Sequence, residues 1–257
     1  MNARSEQRLA RLQEALSRGG TLPLTEAARL CNVSEMTIRR DVAASDGSVR
    51  FLGGHLIMAE DPLYRPVYNL DEEQGSHALV KQCLCQRAAA LIEDGDTLFI
   101  DCGTTLMPLI EALDRDMTLT VVTYALNVGN AVSRLPNVRL LLLGGLYYSS
   151  SMSFGGDEMD AAIRRLGINK AFISAAGLHA GRGASCFHFH EVAPKQAAIA
   201  SAMQCILVID DSKLDVIRPA FFASLDSFDI IITNGEAGLA LQESYQGEAA
   251  GPQILLA

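Results

Sequence analysis

Pro23-Leu24-Thr25-Glu26-Ala27-Ala28-Arg29-Leu30-Cys31-Asn32-Val33-Ser34-Glu35-Met36-Thr37-Ile38-Arg39-Arg40-Asp41-Val42 reads as two short helices joined by a tight turn. The first helix is expected from about Thr25 to Leu30, with Ala27, Ala28 and Leu30 inward, and the second from Ser34 to about Val42, with Ile38 and Val42 inward. The joint at Cys31-Asn32-Val33 needs one residue near the left-handed backbone region, where Gly is usual and Asn is among the better-tolerated substitutes. Asn32 takes that place. Ser34 suits the N-cap, because its hydroxyl can accept from a backbone N–H of the next turn, and Glu35 suits the positive helix end. With Ile38 and Val42 buried, the helical period turns Glu35, Met36, Thr37, Arg39 and Arg40 to the open side, where a recognition helix presents groups to the major groove. An Arg-Arg pair alone would be solvated charge. Within the whole helix-turn-helix pattern it becomes a pair of side chains able to reach guanine edges or phosphates.

Upstream, Leu9, Leu12 and Leu16 fall at helical spacing, Arg4, Arg8, Arg11 and Arg18 take polar positions, and Gly19-Gly20 stops the helix. This is a supporting helix, and most of its arginines are expected as solvated surface charge. The segment Val33-Ser34-Glu35-Met36-Thr37-Ile38-Arg39-Arg40-Asp41 closely resembles the recognition segment of the DeoR-type bacterial transcription regulators. In that family a wing ending in a Gly-Gly pair follows. Arg50-Phe51-Leu52-Gly53-Gly54 supplies one here, somewhat earlier than in most members, and Ala43-Ala44-Ser45-Asp46-Gly47-Ser48 replaces the usual hydrophobic spacer. The resemblance implies a winged helix-turn-helix domain over residues 1–58 that meets operator DNA through Ser34, Glu35, Met36, Thr37, Arg39, Arg40 and Arg50.

With 257 residues and 49% hydrophobic composition, the chain can bury a substantial core and is long enough for a small domain plus a medium one. Its charge of -9 looks wrong for a DNA binder until it is divided: residues 1–60 hold eight Arg and no Lys against seven acids (+1), and the remainder holds 13 bases against 23 acids (-10). The acidic body discourages indiscriminate polyanion binding, so DNA affinity must come from a local arginine patch and from oligomerisation. Six cysteines, at 31, 83, 85, 102, 186 and 205, show no framework spacing and read as buried free thiols. The N-terminus does not resemble a signal peptide, and no apolar run approaches the ~18 residues of a membrane span. A cytoplasmic protein is expected. Residues 59–75, with Asp61-Pro62, Arg65-Pro66 and the acids Asp71, Glu72 and Glu73, read as a linker.

Beyond it, residues 76–257 form the second domain. From His77 the period is helical, with Val80, Leu84, Ala88 and Leu91 on one face. Short apolar runs then recur at 97–100, 119–122, 138–143, 170–173, 206–209 and 230–232, several separated by helical stretches. Such alternation predicts a mainly parallel sheet covered on both faces, with ligands beyond the carboxyl ends of the strands. Asp101-Cys102-Gly103-Thr104-Thr105 leaves a strand and opens a helix. Gly lets the backbone approach an anion, hydroxyls add donors, and a helix N-terminus adds positive potential. A capped turn without a ligand would read the same way. Further strand ends, Leu143-Gly144-Gly145, Ala175-Ala176-Gly177 and Asp210-Asp211-Ser212-Lys213, favour the ligand site.

Together with Glu191 and Lys195, this set resembles the sugar-phosphate-binding domain of DeoR-type regulators, which shares the ribose-5-phosphate-isomerase-like α/β fold. The resemblance implies effector contacts from Asp101, Gly103, Thr104, Thr105, Tyr124, Gly144, Gly145, Gly177, Glu191, Lys195 and Lys213. Ser174 to His179, Gly183 to Phe187, Arg218-Pro219-Ala220 and the departure from Thr-Asn at Tyr124-Ala125 narrow it to members whose implied inducer is deoxyribose-5-phosphate. The expected function is a repressor of deoxyribonucleoside or deoxyribose catabolic genes, without cofactor or metal, acting as a dimer or larger homo-oligomer because paired half-sites mirror two-fold symmetry. The alternatives are regulation of another sugar operon, in either sign, and a sugar-phosphate isomerase using Asp101 or Glu191 as base with Lys195 or Lys213. An isomerase has no need of residues 1–58. His188-Phe189-His190-Glu191 has metal-ligand residue types, but alternating His in a loop more often hydrogen-bonds locally. Tyr147 to Ser151 is expected as a mobile loop beside the cleft, and Gly235 to Gly251 as surface helix or tail.

Overall fold

The computed structural model describes residues 3–19, 21–45, 48–52, 55–58, 77–156, 158–245 and 251–257. Gly20, the Gly53-Gly54 wing tip and the 59–75 linker lie outside them. The chain divides into two compact units, residues 1–67 and 68–257. No described helix is long and apolar enough to cross a membrane.

The first unit runs α1 (Ala3–Gly19), β1 (Thr21–Pro23), α2 (Leu24–Cys31), α3 (Glu35–Ala43), β2 (Val49–Leu52) and β3 (His55–Met58). Its strands pair antiparallel in the order β1-β3-β2, which makes the helix-turn-helix a winged one. Leu9, Leu12 and Leu16 of α1 pack with Ile38 and Val42 of α3 and with Val49 and Leu56 of the sheet. Asn32 adopts φ 52° and ψ 49°, and its amide caps the carbonyls of Ala28 and Arg29. Ser34 caps α3 by accepting from the Thr37 amide at 3.3 Å.

One expectation fails here, and another has an exception. Leu30 is 45% exposed, because α2 starts at Leu24 and its inward stripe is Leu24, Ala27, Ala28 and Cys31, the i, i+3, i+4, i+7 set that leaves position 30 outside. Arg8 is not mere surface charge. Its Nε and Nη2 donate to the two carboxylate oxygens of Asp41 at 2.6 and 3.0 Å, and the Ser5 hydroxyl adds a third bond at 2.7 Å. This fork ties α1 to α3. The Arg8 hydrogen bonds hold the Asp41 carboxyl below its ordinary range although burial works the other way.

The second unit opens with α4 (Ala78–Ala89), β4 (Thr97–Ile100), α5 (Met107–Glu111), β5 (Leu119–Thr123), α6 (Leu126–Val132), β6 (Val138–Leu142), β7 (Leu146–Tyr148) and β8 (Ser153–Gly155). There follow α7 (Met159–Ile163), β9 (Ile168–Ser174), β10 (Gly177–His179), β11 (Gly183–Cys186), α8 (Val192–Ser201), β12 (Ala202–Val208), β13 (Ala220–Ala223), β14 (Ile230–Thr233), α9 (Gly235–Tyr245) and β15 (Gln253–Leu256). Among the described residues, seven strands form one parallel sheet in the order β15-β14-β12-β9-β4-β5-β6. All six anticipated runs are in it. Phe99, Val121, Phe172, Leu207 and Ile231 are fully buried, which is why these strands read as unbroken apolar runs: helices cover both faces.

The tertiary structure changes several details. The inward stripe of α4 is Lys81, Leu84, Cys85 and Ala88, with Val80 and Leu91 only half-buried. Past the expected α9, the chain returns as an edge strand, with Ile254 opposite Ile231. Tyr147 and Tyr148 belong to the β7-β8 hairpin instead of a loop, and a side chain at Gly145 would collide with the Gly155 carbonyl oxygen. A small antiparallel sheet, β10-β11-β13, was also not foreseen.

The left-handed turn residue has a testable consequence. Asn32→Gly is expected to be tolerated, whereas Asn32→Val should destabilise the first unit by ~1–2 kcal/mol, since a β-branched side chain disfavours that backbone region. Melting of the full chain checks this, and equal midpoints for the two variants would mean that the turn places no such demand.

Candidate functional site

In the first unit, α3 presents Glu35, Met36, Arg39 and Arg40 to solvent, with Met36 66% exposed. Ser34 and Thr37 are engaged with each other, their hydroxyl oxygens 3.0 Å apart at the helix cap. The Arg39 guanidinium lies 5.3 Å from the centre of the Phe51 ring on β2, so the wing strand steadies it. Arg50 is exposed on the same strand. The resulting surface has two arginines on one capped helix and a third on the adjoining strand.

In the second unit, a cleft enclosing roughly 570 Å³, part of it open to solvent, lies beyond the carboxyl ends of β4, β9 and β12. These adjacent parallel strands end together and release Cys102 to Thr105, Ala175-Ala176 and the turn bearing Lys213 at one edge. Lys213 donates to Thr105 Oγ1 at 3.3 Å and pairs with Asp210 at 3.0 Å. Lys81, buried on α4, donates to Thr104 Oγ1 at 3.0 Å. Gly103 has φ 107°, and an added Cβ there would stand 3.1 Å from Ser174 Oγ.

The floor is a buried polar cluster. Asp101 is wholly buried; its Oδ1 accepts from the Tyr124 hydroxyl at 2.7 Å and the Cys102 amide at 2.8 Å, and its Oδ2 from the Ser174 amide at 2.9 Å and from Lys195 Nζ. Lys195 also donates to the Ser174 carbonyl at 3.0 Å, and Glu191 Oε2 lies 3.9 Å from its Nζ. Burial works against the Lys195 charge, but Asp101 and the neighbouring acids outweigh it and hold its pKa above the ordinary lysine value. Glu191 is pushed up to about 7, chiefly by burial, with Lys195 pulling the other way.

Six of the anticipated effector residues, Gly103, Thr104, Thr105, Glu191, Lys195 and Lys213, line the cleft. Asp101 and Tyr124 lie beneath it as the supports just described. Gly144, Gly145 and Gly177 are outside the lining. Gly145 and Gly177 serve close packing, the second against the Val216 carbonyl oxygen. The helix expected to open at Thr104 starts later and spans only Met107–Glu111, so it contributes little dipole to an anion at the turn.

Sequence reasoning missed Ser151, Cys186, Phe187, His188 and Arg218 as lining residues. Arg218 sits 4.8 Å over the Phe187 ring. Ser151 belongs to the stretch expected as a loop beside the cleft, and it reaches the lining from the turn of the β7-β8 hairpin. His190 stacks on Tyr148 with centroids 3.7 Å apart and lies 3.1 Å from Ser151 Oγ, which pins the hairpin beside the cleft. Burial lowers the His190 pKa to about 4, aided by His188 and Lys195, so it is neutral at ordinary pH. Hydroxyl donors, lysines and an arginine around one opening suit a small anion that also carries hydroxyl groups.

A profile of the DeoR-like helix-turn-helix domain matches residues 8–56, and one of the DeoR C terminal sensor domain matches residues 76–235. The chain is 36% identical over 234 residues to the deoxyribose operon repressor of Escherichia coli strain K12, covering 91% of this chain and 92% of that one. It is 30% identical over 229 residues to the HTH-type transcriptional regulator IolR of Bacillus subtilis strain 168, covering 88% and 90%. Among solved structures, ribose 5-phosphate isomerase A from Methanocaldococcus jannaschii aligns over 54% of this chain and 55% of that one, with 14% identity and a TM-score of 0.41.

The buried cluster sets an expected loss. Lys195→Met should cost about 3–5 kcal/mol, because it strands the Asp101 carboxylate without its cation in a dry interior. Adding Asp101→Asn should return part of that loss. Urea unfolding of both variants checks it, and Lys195→Met as stable as the parent would show that the ion pair does not matter to folding.

Proposed function

The chain belongs to the DeoR family of transcriptional regulators, and on that footing we propose that this DNA-binding repressor controls deoxyribonucleoside or deoxyribose catabolic genes and leaves its operator when deoxyribose-5-phosphate occupies the cleft. The observation that carries the sugar-phosphate reading is the convergence of Thr104, Thr105, Lys213 and Arg218 on one opening. The choice of sugar rests on likeness to a relative named as the deoxyribose operon repressor. Residues 1–58 read DNA through Ser34, Glu35, Met36, Thr37, Arg39, Arg40 and Arg50, residues 76–257 hold the effector and the oligomer contacts, and 59–75 link them. A dimer is the minimum assembly, since a pair of half-sites calls for two recognition helices. A difference of only ~1–3 kcal/mol between the effector's two bound states suffices to change DNA affinity about 5- to 150-fold. The occupied state of Asp101 favours a receptor over an isomerase: a carboxylate already held by Tyr124, Cys102, Ser174 and Lys195 is poorly placed to take a substrate proton.

A mobility-shift titration tests this, with the operator first recovered by selection from random duplexes. Deoxyribose-5-phosphate should release the parent protein from the operator, and retention at saturating sugar phosphate would reject the inducer. Arg40→Ala should weaken operator binding by ~1–3 kcal/mol without altering effector affinity. Gly103→Val should stay bound at inducer concentrations that release the parent, because its φ of 107° excludes a β-branched residue from the turn shape present. Release at the parent's concentration would remove this turn from the effector site.

A further inference from the structure

The turn of the β7-β8 hairpin is fastened from two sides. The Phe154 amide donates to the Tyr124 carbonyl at 2.8 Å and the Leu126 amide to the Met152 carbonyl at 2.7 Å, which ties the turn to the end of β5. From the other side, the His190 ring stacks on Tyr148, and its Nε2 lies 3.1 Å from Ser151 Oγ and 3.3 Å from Ser153 Oγ. The two serine oxygens are 2.8 Å apart, and both residues are buried. Between them Met152 stands at φ 48°, a left-handed conformation that a long side chain rarely adopts; strained backbone of this kind clusters at ligand clamps. Ser151 lines the cleft, and Ser153 does not.

A hydroxyl has one donor and two acceptor sites. Whichever tautomer the imidazole adopts, Ser153 and His190 take two of the three sites on Ser151, so one remains for an occupant of the cleft. Burial, aided by His188 and Lys195, keeps His190 neutral, and the cluster therefore offers no charge to an anion. It matches a hydroxyl group, which donates or accepts as the remaining site requires. The cationic lining residues Lys213 and Arg218 come from a different segment, between β12 and β13.

We propose that Ser151 reads the sugar of the effector: it hydrogen-bonds one ring hydroxyl of a furanose phosphate and so helps to set which sugar the repressor answers to, with Ser153 and His190 as the positioning residues that hold it. The proposal rests on the sugar-phosphate reading above and is independent of which pentose is the inducer.

Calorimetry on the full chain tests it, with deoxyribose-5-phosphate and its 1-deoxy and 3-deoxy analogues, which lack each ring hydroxyl in turn. Ser151→Ala should weaken binding of deoxyribose-5-phosphate about 3- to 10-fold, as expected for the loss of one hydrogen bond. With one of the two analogues the Ala variant should bind as well as the parent, because the partner hydroxyl is already gone. Parental affinity of Ser151→Ala for deoxyribose-5-phosphate, or an undiminished loss with both analogues, would overturn the proposal. Ser153→Ala breaks the same internal contact without touching the lining and should keep most of the parent's affinity. A loss equal to that of Ser151→Ala would make Ser151 a packing residue and overturn the proposal too. If the parent ignores deoxyribose-5-phosphate but binds ribose-5-phosphate, the inducer named above is rejected. Weaker ribose-5-phosphate binding in Ser151→Ala would then still support the role of Ser151, and unchanged binding would overturn it. A parent protein that binds neither pentose phosphate rejects both readings.

Discussion

The Asp101 carboxylate, wholly buried and held by Tyr124, the Cys102 and Ser174 amides and Lys195, is the constraint on which the geometry of the second unit depends. A bare carboxylate in that interior would cost several kcal/mol, so each donor is obligatory. The donors come from just past β4, from the residue after β5, from the end of β9 and from α8. One side chain thereby sets the relative positions of three strand ends and a helix, and two of those ends, of β4 and β9, open into the cleft. Glu191 and Lys195, one helical turn apart, then bring acid and base to the same floor.

The first unit uses the same device at smaller scale. Asp41, beside the exposed Arg39 and Arg40, turns inward to meet the Arg8 fork and the Ser5 hydroxyl. A carboxylate on the recognition helix would repel phosphate if it faced outward; paired inside, it docks α1 against α3 and leaves the outer face to the arginines. The recognition helix is thus held by a charged contact as well as by Ile38 and Val42. The cap works alongside it, because Ser34 and Thr37 engage each other and leave Glu35, Met36, Arg39 and Arg40 as the outward groups.

Charge is partitioned in the same spirit. Lys195 is balanced by Asp101 and Lys213 by Asp210, so both lysines that line the opening are compensated cations set among hydroxyls. Such an arrangement binds an anion through oriented hydrogen bonds more than through net charge. This suits a protein of net charge -9, whose acidic body would otherwise draw little from long-range attraction.

The linear pattern by itself determined the helix-turn-helix, its left-handed Asn32 and Ser34 cap, and six of the seven parallel strands. Each depends on local chemistry or on a period visible in consecutive residues: a backbone region that few residues tolerate, a hydroxyl at a helix start, an apolar run buried on two faces. Gly103, Thr104, Thr105 and Lys213 were legible for the same reason, since strand ends and Gly-Thr turns are local, whereas Glu191 and Lys195, on a short turn and a helix, entered only through the resemblance to a known family. Only the tertiary structure decided that Asp101 and Tyr124 support the cleft from below, that Arg8 reaches Asp41 across 33 residues, that Tyr147 and Tyr148 build a hairpin and that Gln253 to Leu256 close an edge. Lys81 illustrates the difference: on a helix whose period looks merely amphipathic, a lysine reads as solvated, and its burial against Thr104 comes with the packing of α4 against α5, β12 and β14. Pairings between distant residues leave no periodic trace, so the sequence names the participants without joining them.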